Sequence, residues 1–325
     1  MNTSRFLFIL LFGLLVISLM TSGCAGAQGT TSITIRLTDT PAPSNTPMPS
    51  DTPVPSTTPT IPPTPFPEKL KLNDVQIGEN ELTINCEGTG EPTIILENGL
   101  DYVSWKQNSL RRFTHLGRTC RYNRAGLAGK AVMEPRTTND QVIDLHTLLS
   151  QIGVPGPYIL VGHSIAGFNM VLYASQYPDE VVGLVCVDCR PPNLDPLMLE
   201  KLGPEQPDDP EEIKDLRKDL REGLSSSWIS SLEKIDFVAS EAQARAVTSL
   251  GDLPFIVLVS GGDVWENPIY GDIWKLAWAE ASLETAQLST RGQMEIIEKV
   301  GHLGILDSSA VDKAVSKVYG MAAHP

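Results

Sequence analysis

One stretch restricts the fold of this chain more than any other: Tyr158-Ile-Leu-Val-Gly-His-Ser164-Ile-Ala-Gly-Phe-Asn-Met-Val-Leu172. An apolar run, Tyr158 to Val161, reads as a strand, and an apolar-periodic segment from Ala166 to Tyr177 reads as a helix. A strand that turns this sharply into a helix forces its central residue into a strained conformation. Where strand and helix nearly touch, only very small side chains fit, and Gly162, Ala166 and Gly167 meet that demand. Such a turn lifts the Ser164 hydroxyl above the carboxyl end of a sheet. A Gly-x-Ser-x-small pattern is short, and an ordinary turn with a chance serine is the competing reading. Its weight comes from the partners found elsewhere in the chain.

The ends of the chain bound where it works. In residues 1–23 Arg5 and the amino terminus supply positive charge, Phe6 to Met20 is continuously apolar, and Thr21-Ser22-Gly23 are small. This reads as a secretory signal peptide, short for a spanning helix. Cys24 follows directly, an arrangement that resembles a bacterial lipoprotein signal with Cys24 as the lipidated new amino terminus. Thr21 departs from it, standing where an aliphatic residue is usual. Residues 24–67 follow as a Pro/Thr-rich tether, and 25–67 hold eleven prolines and almost no large apolar residues. That composition cannot bury a core and suits an extended spacer reaching on the order of 100 Å. The expectation is an exported domain, residues 68–325, held off the outer face of a bacterial membrane by Cys24. Membrane contact is expected through that anchor only. A net charge of −14 argues against nucleic acid or an anionic membrane surface as partner.

From residue 68 the chain alternates. Strands are expected at Leu70 to Ile77, Glu81 to Cys86, Thr93 to Leu96 and Arg118 to Tyr122, then at Tyr158, Val181 to Val187, Pro254 to Val259 and Met294 to Val300. Helical periods fall within Leu100 to His115, over Thr138 to Ile152, after Ser164, over Ile269 to Leu288 and over Ala310 to Val318. Fully apolar strands alternating with helices imply a mostly parallel, doubly wound α/β sheet buried on both faces. Between about 191 and 250 the strand signal stops, and charged helical segments at Glu211 to Leu224 and Ser230 to Val247 read as an inserted cap. Trp274 and Trp278, four apart, read as core. No metal site is expected: Cys186 and Cys189 are close in sequence, but no histidine sits near them.

A serine needs a base to take its proton, and the base needs a group to orient it. Of the five histidines, His302 alone follows a predicted strand at the sheet edge where such folds place their chemistry. His163 adjoins Ser164, but the turn should aim it elsewhere. Two aspartates compete as the orienting acid: Asp263 after the strand beginning at Pro254, and Asp188 at the end of the strand after the elbow helix. For an oxyanion, one donor is expected to be the backbone N–H of Ile165. The second is expected to be the N–H of Leu100, with Gly99 as the hinge of that turn.

From about Leu82 onward the chain resembles the serine-nucleophile branch of the α/β-hydrolase superfamily. The pieces that carry the likeness include Cys86-Glu-Gly-Thr-Gly-Glu-Pro-Thr-Ile-Ile-Leu-Glu-Asn-Gly99, Trp105, Thr119-Cys-Arg-Tyr-Asn-Arg-Ala-Gly126, Asp144-Leu-His146, Gly153 through Ser164, Leu184-Val-Cys-Val-Asp188 and Gly301-His302. The resemblance implies an eight-stranded α/β-hydrolase sheet with a helical cap, acting on an ester or related acyl bond of a small molecule without cofactor. It favours Asp263 over Asp188 as the acid by a small margin. It also implies neighbouring strands for Cys86 and Cys120, and hence a disulfide between them in an exported protein. Departures are Asn123-Arg-Ala-Gly in the following loop, Glu97-Asn98-Gly99 where His-Gly is usual, and Ile165 at the elbow.

Three activities compete on this basis. The leading expectation is a monomeric, exported serine hydrolase, a carboxylic ester hydrolase forming an acyl-enzyme on Ser164 with His302 as general base. A proline-iminopeptidase-like amide hydrolase would share fold and triad. A non-catalytic surface-binding domain would have kept the fold alone, against which the intact Ser164 and His302 argue.

Overall fold

The computed structural model describes residues 65–101, 105–222, 232–262 and 267–323. The expected signal peptide, Cys24 and nearly all of the tether lie outside the described residues, as do Asp263 and the carboxyl-terminal His324. Within them a single eight-stranded sheet organises the domain in the order β1-β2-β4-β3-β5-β6-β7-β8. Its strands are β1 Lys69–Ile77, β2 Asn80–Glu87, β3 Thr93–Glu97, β4 Thr119–Asn123, β5 Tyr158–His163, β6 Val181–Val187, β7 Phe255–Ser260 and β8 Gly292–Ile297. The β1–β2 and β2–β4 pairings are antiparallel; every pairing from β4 to β8 is parallel. An α/β-hydrolase sheet was the expectation, and this is its architecture.

The helices are α1 Gln107–Phe113, α2 Thr138–Ile152, α3 Ala166–Gln176, α4 Leu194–Leu202, α5 Glu211–Glu222, α6 Phe237–Arg245, α7 Gly271–Ala286 and α8 Ser309–Ala323. Local chemistry sets several ends. Thr137 caps α2 by accepting from the Asp140 N–H, and the Asp140 side chain accepts in return from Thr137 N, two orphan donors satisfied reciprocally. Gly153 then closes α2 in the left-handed conformation, at φ 73°. Last-strand boundaries shifted most: β8 ends at Ile297 rather than Val300, because the next residues bend to pair with Gly261 and Gly262.

Strand pleating divides the core into two layers, since successive side chains face opposite sides. Ile94, Leu96, Ile159, Val161, Val185, Val187, Ile256 and Leu258 face one side, where Trp105, Phe113 and the α8 residues Val311, Val315 and Val318 cover them. The alternate residues Ile95, Leu160, Leu184 and Val257 face α2, α3 and α7 on the other. Each strand buried on both faces needs both sets to be apolar, which is why these runs lack alternation. Trp274 and Trp278 are buried in that second layer, as expected.

Cys86 and Cys120 lie directly opposite each other across β2 and β4 and form a disulfide. A second disulfide, Cys186–Cys189, spans the end of β6. Phe66, placed by sequence in the tether, packs against the core beneath the Arg118 guanidinium, 4.8 Å from its ring centroid. The cap region is helical in α4, α5 and α6, but residues 232–236 are not: the chain bends at Leu232 and Glu233, Lys234 is left-handed at φ 46°, and Arg136 N–H donates to Lys234 O at 2.8 Å. The expected helix from Ser230 therefore begins only at Phe237; residues 223–231 lie outside the described residues.

Candidate active site

At the end of β5 the chain enters α3 through two residues, Ser164 and Ile165. Ser164 holds φ at 57°, a left-handed conformation costly for any residue with a side chain. The small-residue demand is literal. A Cβ on Gly162 would stand 2.1 Å from Met170 Sδ, and one on Gly167 would stand 2.6 Å from Cys189 Cβ. Strand, helix and the turn after β6 meet there too closely for any larger residue.

Register places the other groups. His163 pairs with Val187 across β5 and β6, so Ser164 and Asp188 each follow the same rung of the ladder. Asp188 is also left-handed, at φ 47°, and buried. Its Oδ1 accepts from the Ser260 N–H at 2.9 Å and its Oδ2 from the Ser260 hydroxyl at 2.7 Å, both from the end of β7. Beyond β8, the loop folds back over β7 and His302 Nδ1 reaches Asp188 Oδ2 at 2.6 Å. With the Nδ1 proton held by a carboxylate, the lone pair of His302 lies on Nε2, the nitrogen able to take a proton. The Trp278 ring lies edge-on to His302, with centroids 6.2 Å apart.

His163 sits under this pair. Its Nε2 donates to the His302 carbonyl at 2.9 Å, and the two rings are 4.4 Å apart. Burial, reinforced by repulsion from His302, lowers its pKa to about 4, so at neutral pH it is an uncharged strut for the His302 loop. The sequence carries no sign of this contact between His163 and His302.

The turn after β3 forms the opposite wall. Asn98 is buried; its side chain donates to the Tyr122 carbonyl at 2.8 Å and accepts from the Trp105 N–H at 3.1 Å. Leu100 packs against the small apolar cluster of Ile165, Phe168, Ile235, Phe237 and Ala244. Gly99 follows Asn98, and its carbonyl accepts from Arg124 at 2.8 Å. Buried Glu97 accepts from Asn169 at 2.6 Å and from Arg124 at 3.3 Å; burial raises its pKa despite the Arg124 charge.

Ser164, Ile165, His302, Asp188, Gly99 and Leu100 thus gather at one sheet edge. Of the two acids, Asp188 engages His302, whereas Asp263 lies outside the described residues. Ser260, Arg124 and Glu233 carry no mark in the sequence as parts of the site, and His163 shows there only its place beside Ser164. A serine ending an apolar strand was the only available signal for Ser260, and it is a common one. Among the described residues no group of three or more His, Cys, Asp or Glu is placed to hold a metal ion.

Comparison with known proteins agrees with this fold. The model of the Alpha/beta hydrolase family matches residues 94–314. Uncharacterized protein YqjL of Bacillus subtilis (strain 168) is 30% identical over 183 residues, covering 55% of this chain and 66% of YqjL. The Hormonema carpetanum protein named "Probable transporter efuK" is 32% identical over 125 residues, 35% of this chain and 18% of that one. The chain therefore spans less than two thirds of the length of either relative. Among solved structures, mouse alpha/beta hydrolase domain-containing protein 10 superposes with a TM-score of 0.52 at 16% identity, over 77% of this chain and 99% of that one. An alpha/beta hydrolase enzyme from the sediment metagenome of the Mar Chica lagoon, Morocco, gives 0.51 at 15% identity, over 77% and 98%. With a strand-to-helix elbow, an eight-stranded sheet of this order and a family match across most of the domain, the chain belongs to the alpha/beta hydrolase family.

Proposed function

We propose that the protein is a serine hydrolase that cleaves an ester or related acyl bond through an acyl-enzyme on Ser164. The observation that carries the reading is the 2.6 Å bond from His302 Nδ1 to Asp188 Oδ2, one strand away from a left-handed serine. In this scheme Ser164 Oγ attacks the acyl carbon as its proton passes to His302 Nε2. Asp188 holds the ring tautomer and stabilises the imidazolium without itself being protonated. The carbonyl π electrons move to oxygen, where the N–H groups of Ile165 and Leu100 receive the charge. The tetrahedral intermediate collapses, and the His302 proton goes to the departing alcohol. Water then repeats the sequence on the acyl-Ser164 ester, with His302 again as base, and frees the acid.

The acid of this scheme is Asp188 rather than Asp263, since Asp188 makes the bond to His302 and is itself fixed by two donors from Ser260. A fluorophosphonate probe tests the core of the reading. It should label the wild type and fail to label Ser164→Ala; a folded wild type that stays unlabelled would sink the proposal in favour of a binding domain.

We further propose that the enzyme acts as an exported monomer anchored through Cys24. The charged, apolar and small segments of residues 1–23 and the proline-rich tether support this. Metabolic labelling with an alkynyl fatty acid should mark the wild type and not Cys24→Ala.

A further inference from the structure

We infer that Arg124 and the cap residue Glu233 are positioning residues for the oxyanion turn: together they aim the Leu100 N–H. The inference rests on the serine-hydrolase reading, in which Leu100 is a donor. Arg124 donates from Nη1 to the Asn98 carbonyl at 2.7 Å and from Nη2 to the Gly99 carbonyl at 2.8 Å. The Gly99 carbonyl and the Leu100 N–H belong to one peptide plane. That peptide is trans, for the two cis bonds in the described chain lie before Pro92 and Pro157. In a trans plane the two groups point in opposite directions. Drawing the carbonyl inward to Arg124 therefore turns the N–H outward, and Leu100 itself packs against the apolar cluster that includes Ile165.

The following residue is pinned as well. The Asp101 N–H donates to Glu233 Oε1 at 2.7 Å, and the Glu233 N–H donates back to Asp101 Oδ1 at 3.1 Å. Asp101 is left-handed, at φ 49°. Leu100 is thus bracketed by a carbonyl fixed to Arg124 and an amide fixed to Glu233.

A bidentate pair joins the two brackets. Arg124 Nε lies 2.6 Å from Glu233 Oε2 and Nη2 lies 3.0 Å from Oε1, with both side chains at most 2% exposed. Burial acts against the Arg124 charge, but the Glu233 carboxylate outweighs it and keeps the guanidinium charged. Buried ion pairs often contribute little net stability, whereas their fork geometry fixes orientation well. Alignment is the better account of this one. It also makes the cap part of the oxyanion apparatus, because Glu233 comes from the non-helical segment before α6.

The test compares Glu233→Gln, Arg124→Lys and Asp101→Asn with Arg217→Lys. Arg217 lies in α5 and binds the Leu202 and Gly203 carbonyls, so its replacement perturbs the cap away from the turn. Losing one oxyanion donor lowers kcat roughly 10²-fold. Glu233→Gln and Arg124→Lys should approach that loss on p-nitrophenyl acetate with KM nearly unchanged. Affinity for a trifluoromethyl ketone, which forms the same oxyanion, should fall by the same factor. Arg217→Lys should lower the melting temperature while keeping kcat and inhibitor affinity. Asp101→Asn, a partly exposed position, should show a smaller loss of the same kind and decides the matter if the buried variants do not fold. Wild-type kcat and inhibitor affinity in folded variants, or losses in Arg217→Lys as large as in the others, would overturn the inference. Fluorophosphonate labelling separates the two failures. An unlabelled wild type defeats the serine-hydrolase reading, whereas a labelled wild type with equally fast variants defeats only this inference.

Discussion

The two walls of the site are held by different physics. On the acid–base wall, Asp188 follows β6, Ser260 ends β7 and His302 lies in the loop after β8, three consecutive neighbours in the sheet, and short hydrogen bonds link them across strand ends. Nothing there depends on the cap among the contacts described. On the oxyanion wall, a loop after β3 is held by a buried guanidinium after β4, whose counter-ion stands 109 residues later in the cap. The first wall is set by the register of β6, β7 and β8, which their ladder hydrogen bonds enforce together. The second depends on a few buried charges, and removing one of them leaves another unpaired. A change on the first wall should therefore remove chemistry and leave the fold in place. On the second it should also loosen a loop.

The sharpest break of that contrast is at the acid. Asp188→Asn should lower kcat about 10⁴-fold by stabilising the wrong tautomer of His302, with little change in melting temperature. Asp263→Asn should lose far less in the same steady-state assay. If Asp263→Asn instead caused the larger loss, the acid–base wall would have to be rebuilt. Next in size is Gly162→Val: its branched side chain would overlap Met170 and Ala166, so soluble, folded protein should fall steeply in expression and thermal melts. Smaller again is Ser260→Ala, which removes one of the two Ser260 donors to Asp188. A loss of roughly tenfold in kcat is expected, about one charge-assisted hydrogen bond's worth, with KM held.

The smallest effect belongs to the cap alone. Glu241 in α6 is raised to about 8 by burial and then by the nearby Asp195 charge, against Arg190 and Arg245. Its folded form therefore holds a proton that the unfolded chain, at an ordinary 4.5, has released. Between those values the native state binds more protons, so stability falls as pH rises from about 4.5 through about 8. Melting temperatures recorded at acid, neutral and alkaline pH should show this decline in the wild type and a flatter profile in Glu241→Gln. Turnover per folded molecule should stay unmoved by that substitution if the two walls are as independent of α6 as their bonds suggest.

Much of the fold was legible because its rules are local. The unbroken apolar runs at Thr93 to Leu96 and Val181 to Val187 required strands covered on both faces, and both are strands with nearly every residue buried. The period from Thr138 to Ile152 returned a helix with those bounds. The cap resisted for a physical reason: its short charged helices bury few residues each, so pattern could not say where Ser230 to Val247 stops being helical. The non-helical piece holding Glu233 is bonded to Arg136 and Asp101, neither of them near in sequence.

The elbow was determined by the sequence itself. Gly162, Ala166 and Gly167 around Ser164, after an apolar strand, leave room for a single tight turn; the exclusion at Gly162 is local, from Ala166 and Met170, and the one at Gly167 comes from Cys189 after β6. Which aspartate faces His302 was decided only in three dimensions. Both candidates follow strands that end at the same edge, and the choice depends on where a loop after β8 lands. That landing is fixed by Gly261 and Gly262 pairing with Ile297 and Val300, and by His163 holding the His302 carbonyl. The Arg124–Glu233 pair belongs to the same class. A buried charge finds its partner through space, and nothing in the spacing along the chain marks the two residues for each other.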